Sequence, residues 1–190
     1  MNVQRIHIVG GATSACHTLI AGSGEMSDFQ YLCDLLDTKA REELVLDDGF
    51  TLTARELWNY TGNLLYNRRC KVDPLWNTIL VAGSEKGKPF LGRLDMYGTT
   101  VECDYAASGF GMYFSVPMLR DMWKPDMTEE EATELVKKCL QVLLFRDART
   151  INKYQIAKIT LEGEAVVSKP FSLDTAGKWN SGELAINDPK

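Results

Sequence analysis

Histidine is scarce in this chain, with only His7 and His17 among 190 residues. A structural zinc site draws on clustered cysteine and histidine, and no C-x-x-C occurs among the five cysteines, so a metal centre has little to build from. An odd count of widely spaced cysteines fits reduced thiols better than a disulfide framework, which points to the cytoplasm and nucleus. Basic residues cluster only at Arg68-Arg69-Lys71, and the net charge of −5 argues against a nucleic-acid partner. No apolar run approaches the roughly 20 residues of a membrane helix, so no membrane partner is expected. Met1 to Arg5 lacks the apolar stretch of a signal peptide. No G-x-x-x-x-G-K-[ST] loop occurs, and Gly22-x-Gly24 is too short for a nucleotide fingerprint, so no cofactor is expected. Cys16 beside His17 suggests a nucleophile and base, but neighbours on a strand point to opposite faces and cannot form a dyad.

What is present reads as an ordinary globular balance, 45% hydrophobic and 25% charged, at a length suited to one domain. Residues 1–168 are expected to form that domain and residues 169–190 an extended C-terminal tail. Gln4 to Val9 and Ser14 to Ala21 read as strands, with Gly22-Ser23-Gly24 as a turn. Ser27 with Gln30 predicts a capping box for a helix whose inner face carries Phe29, Leu32, Cys33, Leu35 and Leu36. Thr53 with Glu56 caps a second helix, with Leu57, Leu64 and Leu65 inward. Asn77 to Ala82 is almost continuously apolar, as expected for a strand buried on both faces. Strands at Phe90 to Asp95 and Thr99 to Tyr105 follow, then a helix from Met112 to Trp123 with Pro117 near its first turns. Strands return at Tyr154 to Leu161 and Ala165 to Val167. Grouped helices between β-hairpins favour an α+β sheet sandwich with helical layers over a parallel sheet.

The most informative segment is Thr128 to Tyr154. Ala132, Leu135, Val136, Cys139, Leu140 and Leu143 recur at helical spacing, and Thr128 with Glu131 makes a capping box. The helix ends in Arg146-Asp147-Ala148-Arg149-Thr150. A carboxylate in the last turn opposes the helix dipole, so Asp147 needs a partner, either an adjacent arginine or a site.

An amphipathic helix running into Arg-Asp-Ala-x-Ser/Thr and then a strand resembles the proteasome beta subunits, members of the N-terminal-nucleophile hydrolases. Gly24 to Gln30, Pro74-Leu75-Trp76-Asn77-Thr78, Phe90 to Met96, Gly109-Phe110-Gly111 and Phe145 to Arg149 carry the resemblance over almost the whole chain. It implies a four-layer αββα sandwich and is most similar to a non-catalytic branch of the family. In active members, the positions of Asp147 and Thr150 support an N-terminal threonine nucleophile. The family then usually has glycine where this chain has Ile151, and a serine where this chain has Phe110. The resemblance begins late: the strands carrying the nucleophile and its supporting Asp and Lys are expected before Gln4, and no lysine precedes Lys39. Catalytic residues are therefore expected to be none, with Asp147 and Thr150 vestigial and Phe110 and Ile151 lost support positions.

The resemblance implies a structural subunit of the proteasome core particle, assembled with other alpha and beta subunits in stacked seven-membered rings for ubiquitin-dependent protein degradation. Met112, Phe114, Met118, Met122 and Trp123 give one helix more apolar surface than a single buried face requires, so they are expected at a subunit interface, a buried core helix being the alternative. Phe171, Leu173, Trp179 and Leu184 anchor the tail, and Phe171 and Trp179 are expected against a neighbouring subunit. Trp58 and Trp76 suit core and interface equally. The rival readings are an active N-terminal threonine endopeptidase and a free-standing protein-binding domain.

Overall fold

A computed structural model describes residues 4–10, 18–49, 51–85, 87–160, 162 and 164–175. Cys16, His17, Trp179 and Leu184 lie outside the described residues. The chain order is β1 (Ile6–Val9), β2 (Thr18–Gly24), α1 (Met26–Leu46), α2 (Ala54–Cys70), β3 (Asn77–Glu85), β4 (Lys88–Leu94), β5 (Thr100–Glu102), α3 (Gly111–Met122), α4 (Glu129–Arg146), β6 (Ala157–Ile159) and β7 (Ala165–Val167). Strands β1 to β5 form one antiparallel sheet in sequence order, and β6 pairs with β7 in a second.

Helices α1 and α2 cover one face of the large sheet. Phe29, Leu32 and Leu36 of α1 and Leu57, Trp58 and Leu65 of α2 meet Ile20, Ile79, Val81, Phe90 and Leu94 in a single core. β6 lies against β2 and β3. Lys158 of β6 reaches Glu129 at the start of α4 at 2.8 Å, and α3 packs on α4. The layers are thus helices, sheet, smaller sheet, helices: the αββα sandwich, with two strands in the second sheet among the described residues.

Several expectations are corrected. Gly22-Ser23-Gly24 continues β2 instead of turning. Gly22 is needed because the Phe29 ring lies where a Cβ would stand, and Gly24, at φ +105°, passes under the Trp76 carbonyl. The cap of α1 is Glu25, not Ser27: its carboxylate accepts from the Ser27 N–H and hydroxyl. Leu35 is half-buried rather than core, and Leu64 is half-buried against the core. β3 is buried on alternate residues, its second face half-covered. β5 has three residues, all exposed, as suits an edge strand. Pro117 sits in the second turn of α3, where it withholds an N–H from the helix ladder. On α4 only Leu135 and Cys139 are buried, and Val136 is 41% exposed, because α3 covers a narrower stripe than the periodicity offers. The capping boxes at Thr53 and Thr128 form as expected. Burial pushes the Cys33 thiol up to about 12 and raises that of Cys139, as suits unreactive core cysteines.

The end of α2 carries an unusual residue. Asp73 N–H donates to Arg68 C=O and Val72 N–H to Arg69 C=O, both at 3.1 Å, the two bonds of a Schellman motif. Val72 occupies its left-handed position at φ +58°, where glycine is the usual choice. A left-handed conformation costs an L-residue about 1–2 kcal/mol, and branching at Cβ adds to the crowding.

Candidate functional site

Two elements meet in one groove, and a third closes α4. The first is the junction of β2 and α1. Glu25 N–H donates to Trp76 C=O at 2.9 Å, and Asn77 Nδ2 donates to the carbonyls of Ser23 and Glu25 at 3.2 and 2.7 Å. Asp28 accepts from Trp76 N–H at 2.9 Å. These bonds hold the start of β3 against the end of β2.

The second element is the turn into α3. Gly109 takes φ +58°, and Phe110 stands at the helix start without a side-chain cap. Its ring is 55% exposed beside Tyr113. A ring offers no hydrogen bond at this position, so the turn presents apolar surface where a hydroxyl would present a donor. Ser23, Trp76, Met96, Phe110, Met112 and Tyr113 line an open groove of about 380 Å³ between these elements.

The third element is the end of α4. The Leu143 carbonyl accepts from the Asp147 N–H at 2.8 Å. Asp147 Oδ1 accepts from the Arg149 N–H at 2.9 Å, and Oδ2 from the Thr150 hydroxyl at 2.7 Å. The carboxyl is held below its ordinary range, first by the Arg149 N–H and then by the Thr150 hydroxyl. The partner that offsets the helix dipole is thus the turn itself. The ion pairs found among the described residues do not include Asp147 with either arginine, and the Arg149 charge is the smallest contribution. Both carboxylate oxygens thus accept bonds within the corner. Ile151 is 71% exposed just beyond it.

Of the residues expected at an interface, Met112 is exposed, while Phe114, Met118, Met122 and Trp123 are half-buried. Phe171 bonds back to Tyr154 through both backbone groups, and Asn152 Oδ1 and Nδ2 bracket Leu173, so the described start of the tail lies along its own chain. Trp58 is core and Trp76 is 61% exposed. The alternation Leu75 in, Trp76 out, Asn77 in was available in the sequence as a period of two. No cluster able to hold a metal occurs among the described residues, and no helix among them is long and apolar enough to cross a membrane.

This arrangement of layers, with an Asp-Ala-Arg-Thr corner after α4 and a Gly-Phe-Gly turn before α3, is that of a proteasome-type fold. The model for "Proteasome subunit" matches residues 5–159. The chain belongs to the proteasome subunit family. Within it the chain is 43% identical to proteasome subunit beta type-4 of Arabidopsis thaliana, over 95% of this chain and 71% of the relative. It is 41% identical to the beta type-4 subunit of Dictyostelium discoideum, over 98% and 70%. With proteasome subunit beta type-7 of Saccharomyces cerevisiae it shares 30% identity, over 94% and 68%.

Proposed function

We propose that this chain is a non-catalytic, structural beta subunit of a proteasome core particle, working with alpha and beta siblings in stacked seven-membered rings. Its role is to close the ring and position active neighbours during ubiquitin-dependent protein degradation in cytoplasm and nucleus. The observation that carries the reading is the phenyl ring of Phe110, exposed at the start of α3 where the resemblance expects a hydroxyl. An N-terminal threonine mechanism needs a hydroxyl nucleophile, a free amine as base and polar groups to hold them. Here the turn residue is a phenyl ring, which supplies none of those polar groups. Similarity to beta type-4 subunits supports assembly over solitary function.

The interface assigned to this role comprises Met112, Phe114, Met118, Met122 and Trp123 on α3, with Phe171 and Trp179 of the tail. Apolar side chains on a helix covered on one side by α4 suit a contact with a sibling.

A threonine-directed epoxyketone tests the reading. In a particle purified through a tag on this chain, sibling subunits are expected to take the label and this chain none. Covalent label on this chain would make it an active endopeptidase and overturn the proposal.

A further inference from the structure

Arg55 stands where a helix disfavours it. It is the second residue of α2, at the positive end of the dipole, where a carboxylate such as Glu56 is the expected type. Its charge is met from other elements. Nε donates to Glu85 at the end of β3 at 2.8 Å, and Nη1 and Nη2 donate to the two carboxylate oxygens of Glu102 on β5, both at 2.8 Å. The guanidinium also lies 4.7 Å over the Phe90 ring of β4. One side chain thus joins α2 to three strands, in a planar two-pronged geometry that lysine cannot make.

Strand β5 has few other supports. It is the outer strand of the large sheet, with three exposed residues and β4 as its one neighbour. Thr100 and Glu102 pair with Leu94 and Gly92, the residues of β4 that face α2. Thr100 meets α2 at Gly62, where a Cβ would stand 2.6 Å from its methyl group, and Glu102 meets it at Arg55. Beyond β5 the chain is held still more lightly. Cys103 N–H donates to Leu91 C=O at 3.0 Å. Among the described residues no backbone hydrogen bond is then found for Asp104 to Ala107, until Ser108 C=O accepts from Gly111 N–H at 3.2 Å where α3 begins. The Tyr105 ring lies 6.0 Å from that of Trp123 just after α3.

We propose that the Arg55 fork is a latch that fixes β5 and, through the Cys103–Gly109 connection, the entry of α3, the helix whose apolar side chains are assigned to a sibling contact. Arg55 is then a positioning residue for that contact. The link to α3 as an interface rests on the subunit reading above, and the latch itself does not. Half-exposed ion pairs contribute little to global stability, so the effect belongs to one segment of the chain.

Hydrogen–deuterium exchange of the full chain, read peptide by peptide, separates a local latch from general stability. Wild type is compared with Arg55→Met, with the milder Glu102→Gln, and with the exchanged pair Arg55→Glu and Glu102→Arg. The same proteins, co-expressed with siblings, are scored for the fraction that enters particles on a native gel. Arg55→Met is expected to speed exchange over Thr100–Gly111 about three- to tenfold, to leave α1 at wild-type rates, and to lower incorporation. The exchanged pair should return both readouts toward wild type, because a guanidinium again lies between two carboxylates. Wild-type exchange over Thr100–Gly111 in both Arg55→Met and Glu102→Gln would overturn the latch. Faster exchange throughout the chain, α1 included, would overturn it too, since Arg55 would then serve general stability alone. Faster local exchange with wild-type incorporation would overturn the link to the interface. If the wild-type chain enters no particle, the subunit reading falls, and the exchange rates still decide the latch.

Discussion

At the residue scale, Asp147 closes the corner after α4 with both of its carboxylate oxygens. Its two oxygens accept from the Arg149 N–H and the Thr150 hydroxyl, and both bonds favour the ionised form. The folded pKa lies below the unfolded one. The stabilisation is therefore fully present above the unfolded carboxylate value of about 3.9 and is lost as pH falls through the folded pKa. Asp147→Asn is expected to be less stable than the parent at pH 7, with the gap closing below about pH 4. Urea unfolding of both proteins across that range measures it. A gap independent of pH would mean that the carboxylate charge contributes nothing to the corner.

At the element scale, the glycines of the large sheet do more than the sequence pattern disclosed. Gly92 of β4 faces Trp58 of α2, and a Cβ there would stand 2.5 Å from the indole Nε1. The ring has nowhere to go: Nε1 donates to the Arg93 carbonyl at 3.4 Å, and the Phe90 ring packs edge-on at 5.5 Å. Gly92→Ala should destabilise the fold by about 1–3 kcal/mol through overpacking. A lower urea midpoint with an unchanged slope is the expected result, and an unchanged midpoint would contradict the packing described. The helices were largely legible in the sequence because apolar spacing and the Thr53 and Thr128 boxes are local signals. The course of β2 through Gly22-Ser23-Gly24 was not, because glycine signals a turn and a close approach alike, and only the position of the Phe29 ring distinguishes them. The α4 stripe was overestimated for a related reason. Periodicity gives the apolar width of a helix and says nothing about how much of that width the chain itself covers.

At the scale of the whole molecule, the fold class was readable from grouped helices between hairpins, while the layer order depends on long-range contacts that spacing does not encode. The candidate site was partly readable. Asp147, Thr150, Phe110 and Ile151 follow from the family resemblance, whereas the groove-facing Trp76 and the strained Val72 needed the backbone geometry. A Lys-Val-Asp-Pro end to a helix, with no glycine at the left-handed position, was the available signal for Val72. Surface apolar residues on α3, at the groove and at Val72 leave one domain with several uncovered faces, which suits a subunit better than a solitary protein.

Native mass spectrometry of the chain purified under its own promoter tests this most directly. The account predicts a single large particle from which this subunit and many different siblings are released on activation. Recovery of the chain alone, or with one partner in a small complex, would contradict it.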